Sequence, residues 1–126
     1  VFTGLGEGAY YISQPGYKKQ FIEKLGFNPY PGTLNVKIEE CYLRKVSLLK
    51  CYPSIVIEGF SNGKRSFGSV NCYKALLENK IEGAVISALR SHYSDDVLEI
   101  IAPVNLRETL KLKDGDKISF IVFPTR

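Results

Sequence analysis

The spacing of hydrophobic and polar positions changes several times along the chain, and each change marks an element. Tyr17, Phe21, Ile22 and Leu25 recur at helical spacing with lysines between them, and Gly26 is placed to end the helix. The stretch Asn28-Pro29-Tyr30-Pro31-Gly32 is irregular, because each proline restricts the residue before it. From Thr33 to Ile38 the period drops to two: Leu34, Val36 and Ile38 share one face, and Thr33 and Asn35 leave the other. Ile55-Val56-Ile57 and the stretch Ser66 to Tyr73 flank Asn62-Gly63, a strong hairpin signal. Ile81 to Leu89 and Val97 to Ile101 read as two further strands, joined by a polar loop containing Ser91 and Asp95-Asp96. Pro103 stops the second of them. Asn105 to Glu108 has the spacing of a capping box and predicts a short helix to Leu110. Lys113 to Asp116 reads as a turn and Lys117 to Phe123 as the closing strand. At the other end, Val1 to Thr3 reads as the tail of a strand, Gly4 to Gly8 as a loop, and Ala9 to Ser13 as a strand before the Gln14-Pro15-Gly16 turn. Glu39 to Pro53 shows no clear period.

Six or seven short strands with two short helices in 126 residues predict a mainly β fold. Closure into a barrel would remove the exposed edges that so many strands present, with a sandwich as the alternative. A hydrophobic fraction of 44% against 24% charged residues supports one packed domain over residues 1–126. The longest apolar runs, such as Ile118 to Phe123, are too short to span a bilayer, and no signal-peptide pattern opens the chain. Cys41, Cys51 and Cys72, with the single His92, fit neither a zinc pattern nor a disulfide framework. Free thiols in a reducing cytoplasm are the expectation. The complete lack of methionine predicts a processed or excised piece, with an upstream segment absent.

Charge narrows the partner class. Seventeen basic against 13 acidic residues give +4, which suits a phosphate-bearing ligand but is too mild and scattered for a nucleic-acid groove. The sequence has no G-x-x-x-x-G-K-[ST], H-E-x-x-H, C-x-x-C or EF-hand pattern. Gly4-x-Gly6-x-Gly8 lets successive backbone N–H groups converge on an anion, though an ordinary glycine-rich turn has the same composition. Thr33 and Asn35 place two neutral oxygens on one strand face, a donor set suited to a hard cation such as Mg2+ and equally to a solvated surface. Glu99 is the only charged residue within Val97–Ile101, so it is either a solvent-facing glutamate or a carboxylate poised at a pocket.

Four ordered blocks bring these features together: Gly4-Leu-Gly-Glu-Gly-Ala-Tyr-Tyr11, Leu25-Gly-Phe-Asn-Pro-Tyr-Pro-Gly-Thr-Leu-Asn-Val36, Glu99-Ile-Ile-Ala-Pro103 through Leu106-Arg107, and Leu112-Lys-Asp-Gly-Asp116. In them the sequence resembles the CTP-dependent riboflavin kinases of the archaeal type, across nearly the whole chain. The resemblance implies a six-stranded cradle-loop β-barrel, related in plan to other riboflavin kinases and to swapped-hairpin DNA-binding barrels. It also implies a reaction, riboflavin plus CTP giving FMN plus CDP. By position, Leu5, Gly6, Glu7, Gly8, Ala9 and Tyr10 would hold the nucleotide phosphates, and Val104, Asn105, Leu106 and Arg107 the cytidine nucleotide. Thr33 and Asn35 would bind one Mg2+ together with the nucleotide. Ser91 and Glu99 would contact the flavin, with Glu99 orienting or deprotonating the attacking hydroxyl. Two positions depart from the family pattern: Ser91 stands where threonine is frequent, and Asn105 where a basic residue is common. Some relatives carry a winged helix upstream. The expected partners are therefore riboflavin/FMN and CTP/CDP, with neither membrane nor nucleic acid engaged through this domain. A DNA-binding barrel and a non-catalytic flavin-binding protein are the rival classes.

Overall fold

Two adjacent buried residues decide the first element. Tyr11 and Ile12 are 5% and 1% exposed. A strand would send them to opposite faces, whereas a helix keeps neighbours on one side. The computed structural model, which describes residues 1–2, 8–49, 51–61, 63–86 and 96–123, accordingly forms a helix over Gly8–Ile12 (α1) where the sequence predicts a strand. Ser13 Oγ and Gln14 Nε2 both donate to the Tyr10 carbonyl at 3.0 Å and close its last turn. Helix α2 follows over Pro15–Leu25 with proline in its first turn. Gly26 ends it at φ 83°, its N–H donating to the Ile22 carbonyl. Tyr17, Phe21 and Leu25 are buried as the periodicity predicts, but Ile22 is exposed.

The strands are β1 (Leu34–Lys37), β2 (Ile55–Ile57), β3 (Phe60–Ser61), β4 (Ser66–Phe67), β5 (Val70–Leu77), β6 (Ile81–Ile86), β7 (Val97–Ile101) and β8 (Phe120–Phe123). All pairings are antiparallel, in the order β1-β7-β6-β5-β2, with β8 also on β5. Strand β5 is the pivot. One edge carries β6 along most of its length, while the other is divided between β2 at Val70–Cys72 and β8 at Lys74–Leu77. The expected strand Ser66–Tyr73 is thus two strands, interrupted at Gly68-Ser69 and continued to Leu77. Strands β3 and β4 extend the β2–β5 hairpin in the same register, with Asn62 itself outside the described residues. The β5–β6 turn places Glu78 and Asn79 at φ 50° and 55°.

Residues 1–2 link the far edges. Phe2 donates to the Asn35 carbonyl on β1, while Val1 exchanges backbone bonds with Gly115 and Asp116, in the turn that leads to β8. The hydrogen bonds therefore run from β1 through β7, β6, β5 and β8 back towards β1. The chain is mainly β with short helices, as its strand count predicts.

Side chains alternate between two apolar clusters. Tyr11, Ile12, Tyr17 and Phe21 pack with Phe67, Cys72, Ile86 and Ile101 on one side. Leu34, Val36, Leu77, Val85, Ile100 and Leu106 pack on the other. The stretch without a clear period contains a 3-10 turn at Glu40–Tyr42 and helix α3 (Leu43–Leu49), neither with a buried residue. Helix α4 (Leu106–Thr109) is the one that the capping spacing predicts: Asn105 Oδ1 accepts from the Glu108 N–H at 3.2 Å.

Candidate active site

The β1–β7 register pairs Asn35 with Glu99 and Leu34 with Ile100. Directly paired residues in an antiparallel ladder leave the same face, so Asn35 and Glu99 project side by side, away from the Leu34–Ile100 cluster. Glu99 is also opposite Ile86, which in turn is opposite Cys72. A row Cys72–Ile86–Glu99–Asn35 thus crosses four strands, apolar at one end and polar at the other.

Glu99 is 7% exposed, a rare burial for a carboxylate. Thr33, two residues before Asn35 and on the same side of the chain, donates its hydroxyl to Glu99 Oε1 at 3.1 Å. The Asn35 side-chain oxygen is buried and has no hydrogen-bond partner among the described residues. An unsatisfied buried acceptor is costly unless a donor or a cation meets it. Thr33, Asn35 and Glu99 therefore converge on one point. The burial of Cys72 at the apolar end pushes its thiol up to about 12.

A cleft of about 190 Å³ reaches this group at Thr33, with Tyr30, Leu34, Ile100, Val104 and Arg107 among its other walls; Asn35 and Glu99 do not line it. Thr33 is common to both: it lines the cleft and holds Glu99. Pro103 ends β7 and α4 begins three residues later, which delivers Val104–Arg107 to the cleft wall. Tyr30 is fixed opposite by its N–H to the Ala102 carbonyl at 2.8 Å and by Asn105 Nδ2, which donates to its hydroxyl at 3.2 Å. Asn105 is thus occupied twice, as helix cap and as support for Tyr30. The Arg107 guanidinium pairs with Asp114 at 2.7 Å.

The structure brings Thr33, Asn35 and Glu99 together, and Thr33 also lines the cleft walled by Val104–Arg107. Leu5, Gly6, Glu7 and Ser91 lie outside the described residues. Gly8, Ala9 and Tyr10 fall within α1, not in a loop, and Ala9 and Tyr10 are exposed. Sequence reasoning misses Tyr30 as a wall of the cleft; the prolines on either side, which hold the segment out of regular structure, are its only local signal. It also misses Arg65, whose guanidinium sits against the rings of Tyr10, Tyr11 and Phe67. Among the described residues no group of three His, Cys, Asp or Glu could hold a metal ion. A cation at Thr33 and Asn35 would take much of its ligand set from a bound phosphate or from water.

Residues 1–122 match the family model CTP-dep_RFKase, described as "Domain of unknown function DUF120". The chain belongs to this CTP-dependent riboflavin kinase family. It is 54% identical over 116 residues to a protein of Pyrobaculum aerophilum named riboflavin kinase, covering 92% of this chain and 55% of that one. Proteins of the same name from Methanosarcina acetivorans and Archaeoglobus fulgidus are each 54% identical over 118 residues, covering 94% and 92% of this chain and 49% of each relative. The chain spans about half the length of the curated relatives it matches.

Proposed function

We propose that this domain transfers the γ-phosphoryl group of CTP to the terminal ribityl hydroxyl of riboflavin, giving FMN and CDP. The observation that carries the reading is the convergence of Thr33, Asn35 and Glu99, with Thr33 also lining the cleft walled by Val104–Arg107. Family membership and relatives named riboflavin kinase support it.

Phosphoryl transfer asks a protein mainly to align reactants and neutralise charge. Glu99 accepts a hydrogen bond from the attacking hydroxyl and takes its proton as the new oxygen–phosphorus bond forms. The bond between the γ-phosphorus and its bridging oxygen breaks, and CDP leaves with that electron pair. The Thr33 hydroxyl fixes the orientation of the Glu99 carboxylate. Val104–Arg107 and Leu5–Tyr10 hold the nucleotide, and Ser91 with Glu99 the flavin. The Asn35 oxygen, without a partner among the described residues, and the Thr33 hydroxyl oxygen fit one Mg2+. That ion, when bound, neutralises phosphate charge.

The test is FMN and CDP production by this chain from riboflavin with CTP or ATP. CTP is expected to support far faster turnover than ATP. Equal rates with both would remove the CTP assignment, and FMN from neither would remove the kinase reading.

A further inference from the structure

The β3–β4 hairpin carries a charged residue that the proposed chemistry leaves without a role. Arg65 precedes β4, and its guanidinium carbon lies 5.6, 5.1 and 5.4 Å from the ring centroids of Tyr10, Tyr11 and Phe67. The guanidinium also donates a hydrogen bond to the Tyr11 hydroxyl. A cation against aromatic faces is attracted by their quadrupoles, and a planar guanidinium can stack and donate together.

What Arg65 grips is a weak element. Helix α1 has five residues, too few to be stable in isolation. What Arg65 is mounted on is firmly held. Tyr17 donates to the Gly68 carbonyl at 2.7 Å, and Lys24 Nζ to the Val56 carbonyl at 2.7 Å. Gln20 both donates to the Glu58 carbonyl at 2.9 Å and accepts from the Glu58 N–H at 2.6 Å. Phe60 and Phe67 stack at 4.8 Å, and Phe60 covers Gly16 so closely that a Cβ there would meet the ring at 2.7 Å. The hairpin is thus a strap fastened to α2 along one flank, with Arg65 reaching from it to α1.

We propose that Arg65 is a positioning residue for the nucleotide: by clamping Tyr10 and Tyr11 it sets how Gly8, Ala9 and Tyr10 meet the phosphates. This rests on the reading of Leu5–Tyr10 as the nucleotide segment. Arg65 acts through α1 and touches neither substrate.

The test compares wild type, Arg65→Ala and Arg65→Lys in the whole chain, by calorimetric titration with CDP, fluorescence titration with riboflavin, steady-state kinetics and thermal melting. For Arg65→Ala, the CDP Kd and the CTP KM are expected to rise at least tenfold. The riboflavin Kd should stay within twofold and Tm should move little. Arg65→Lys keeps a cation over the rings but loses the planar fork, and should fall between. Unchanged CDP affinity in Arg65→Ala overturns the proposal, as does equal loss of CDP and riboflavin affinity, which marks a merely structural arginine. If Arg65→Ala does not fold, Tyr11→Phe removes only the hydroxyl acceptor. A several-fold rise in CDP Kd with riboflavin unaffected then supports the proposal, and no change overturns it. Wild type that binds no CDP and makes no FMN overturns the functional reading and this inference with it. Wild type that binds CDP no better than Arg65→Ala overturns this inference alone.

Discussion

Glu99 and Arg65 are opposite charges held by opposite means. Glu99 is placed by backbone: the ladder to β1 and β6 fixes its direction, and the hydroxyl of Thr33, just before β1, holds its oxygen. Arg65 is placed by side chains, through ring faces and a phenol. The carboxylate would keep its position after conservative substitution, because the ladder does not depend on it. The rings around the guanidinium would not, because Arg65 helps to hold them. Substitution at the first site therefore tests chemistry, and substitution at the second tests placement.

The largest effect that separates the two is expected from Glu99→Gln. It preserves size and one acceptor but removes basicity, and general-base help is worth roughly a hundredfold to ten-thousandfold. The kcat should fall in that range while CDP affinity and Tm hold. If only the riboflavin KM rises, Glu99 binds the flavin without acting as a base. Next come Thr33→Val and Asn35→Leu. A hydrogen bond to a charged group contributes about 1.5–3 kcal/mol, so Thr33→Val should reduce activity at limiting Mg2+ and CTP by about tenfold or more. Asn35→Leu should weaken Mg2+-dependent nucleotide binding and leave riboflavin binding intact. Wild-type behaviour in both, measured by Mg2+ titration, would detach this pair from the site.

Cys72 gives a smaller effect that reports on the closed end of the same row. Its thiol is fully buried and pushed up to about 12 from 9.0. Iodoacetamide at pH 8 should modify the exposed Cys41 and Cys51 but reach Cys72 only after unfolding. In the unfolded chain that thiol ionises near its ordinary value, so the fold binds the extra proton and stability falls as pH rises from about 9 towards 12. A melting series over that range checks the sign. The smallest effect belongs to Glu39–Lys117, a surface pair at 2.8 Å. The lysine holds the Glu39 carboxyl below its usual range, and the carboxylate raises Lys117. Its contribution is complete between the two ordinary pKa values. It is lost as pH falls through the lowered Glu39 value or rises through the raised Lys117 value. Because exposed pairs are well screened, Lys117→Ala should leave Tm nearly unchanged at neutral pH.

The polar corner was legible because a two-residue period fixes faces. Thr33 and Asn35 opposite Leu34 and Val36, and Glu99 opposite Leu98 and Ile100, follow from alternation alone. That the two strands are neighbours does not. It depends on the register Asn35↔Glu99, across a separation of 64 positions that no local signal encodes. The Asn105 cap and the Gly26 stop were legible for a similar reason, since each satisfies backbone groups within a few residues. Helix α1 was not. Tyr10, Tyr11 and Ile12 favour strands by residue type, and tertiary burial of two adjacent side chains overrides that preference. The β5–β6 turn was missed because Glu78 and Asn79 adopt a left-handed backbone without glycine to announce it. Arg65 was invisible because two of its three ring partners, Tyr10 and Tyr11, lie more than 50 residues away.

Helix α3 carries a different consequence. With none of its residues buried and Leu48 54% exposed, little of its free energy depends on the rest of the fold. Opening it costs far less than opening the sheet, so it belongs to the lowest rung of local stability. Its amides should exchange with deuterium well before those of β5 and β6, and trypsin should nick the chain at Arg44 or Lys45 while the remainder stays folded. The molecule would then exist for a time as two associated fragments. The break would lie on a segment that supplies no residue to the cleft wall, to the Glu99 corner or to the strap.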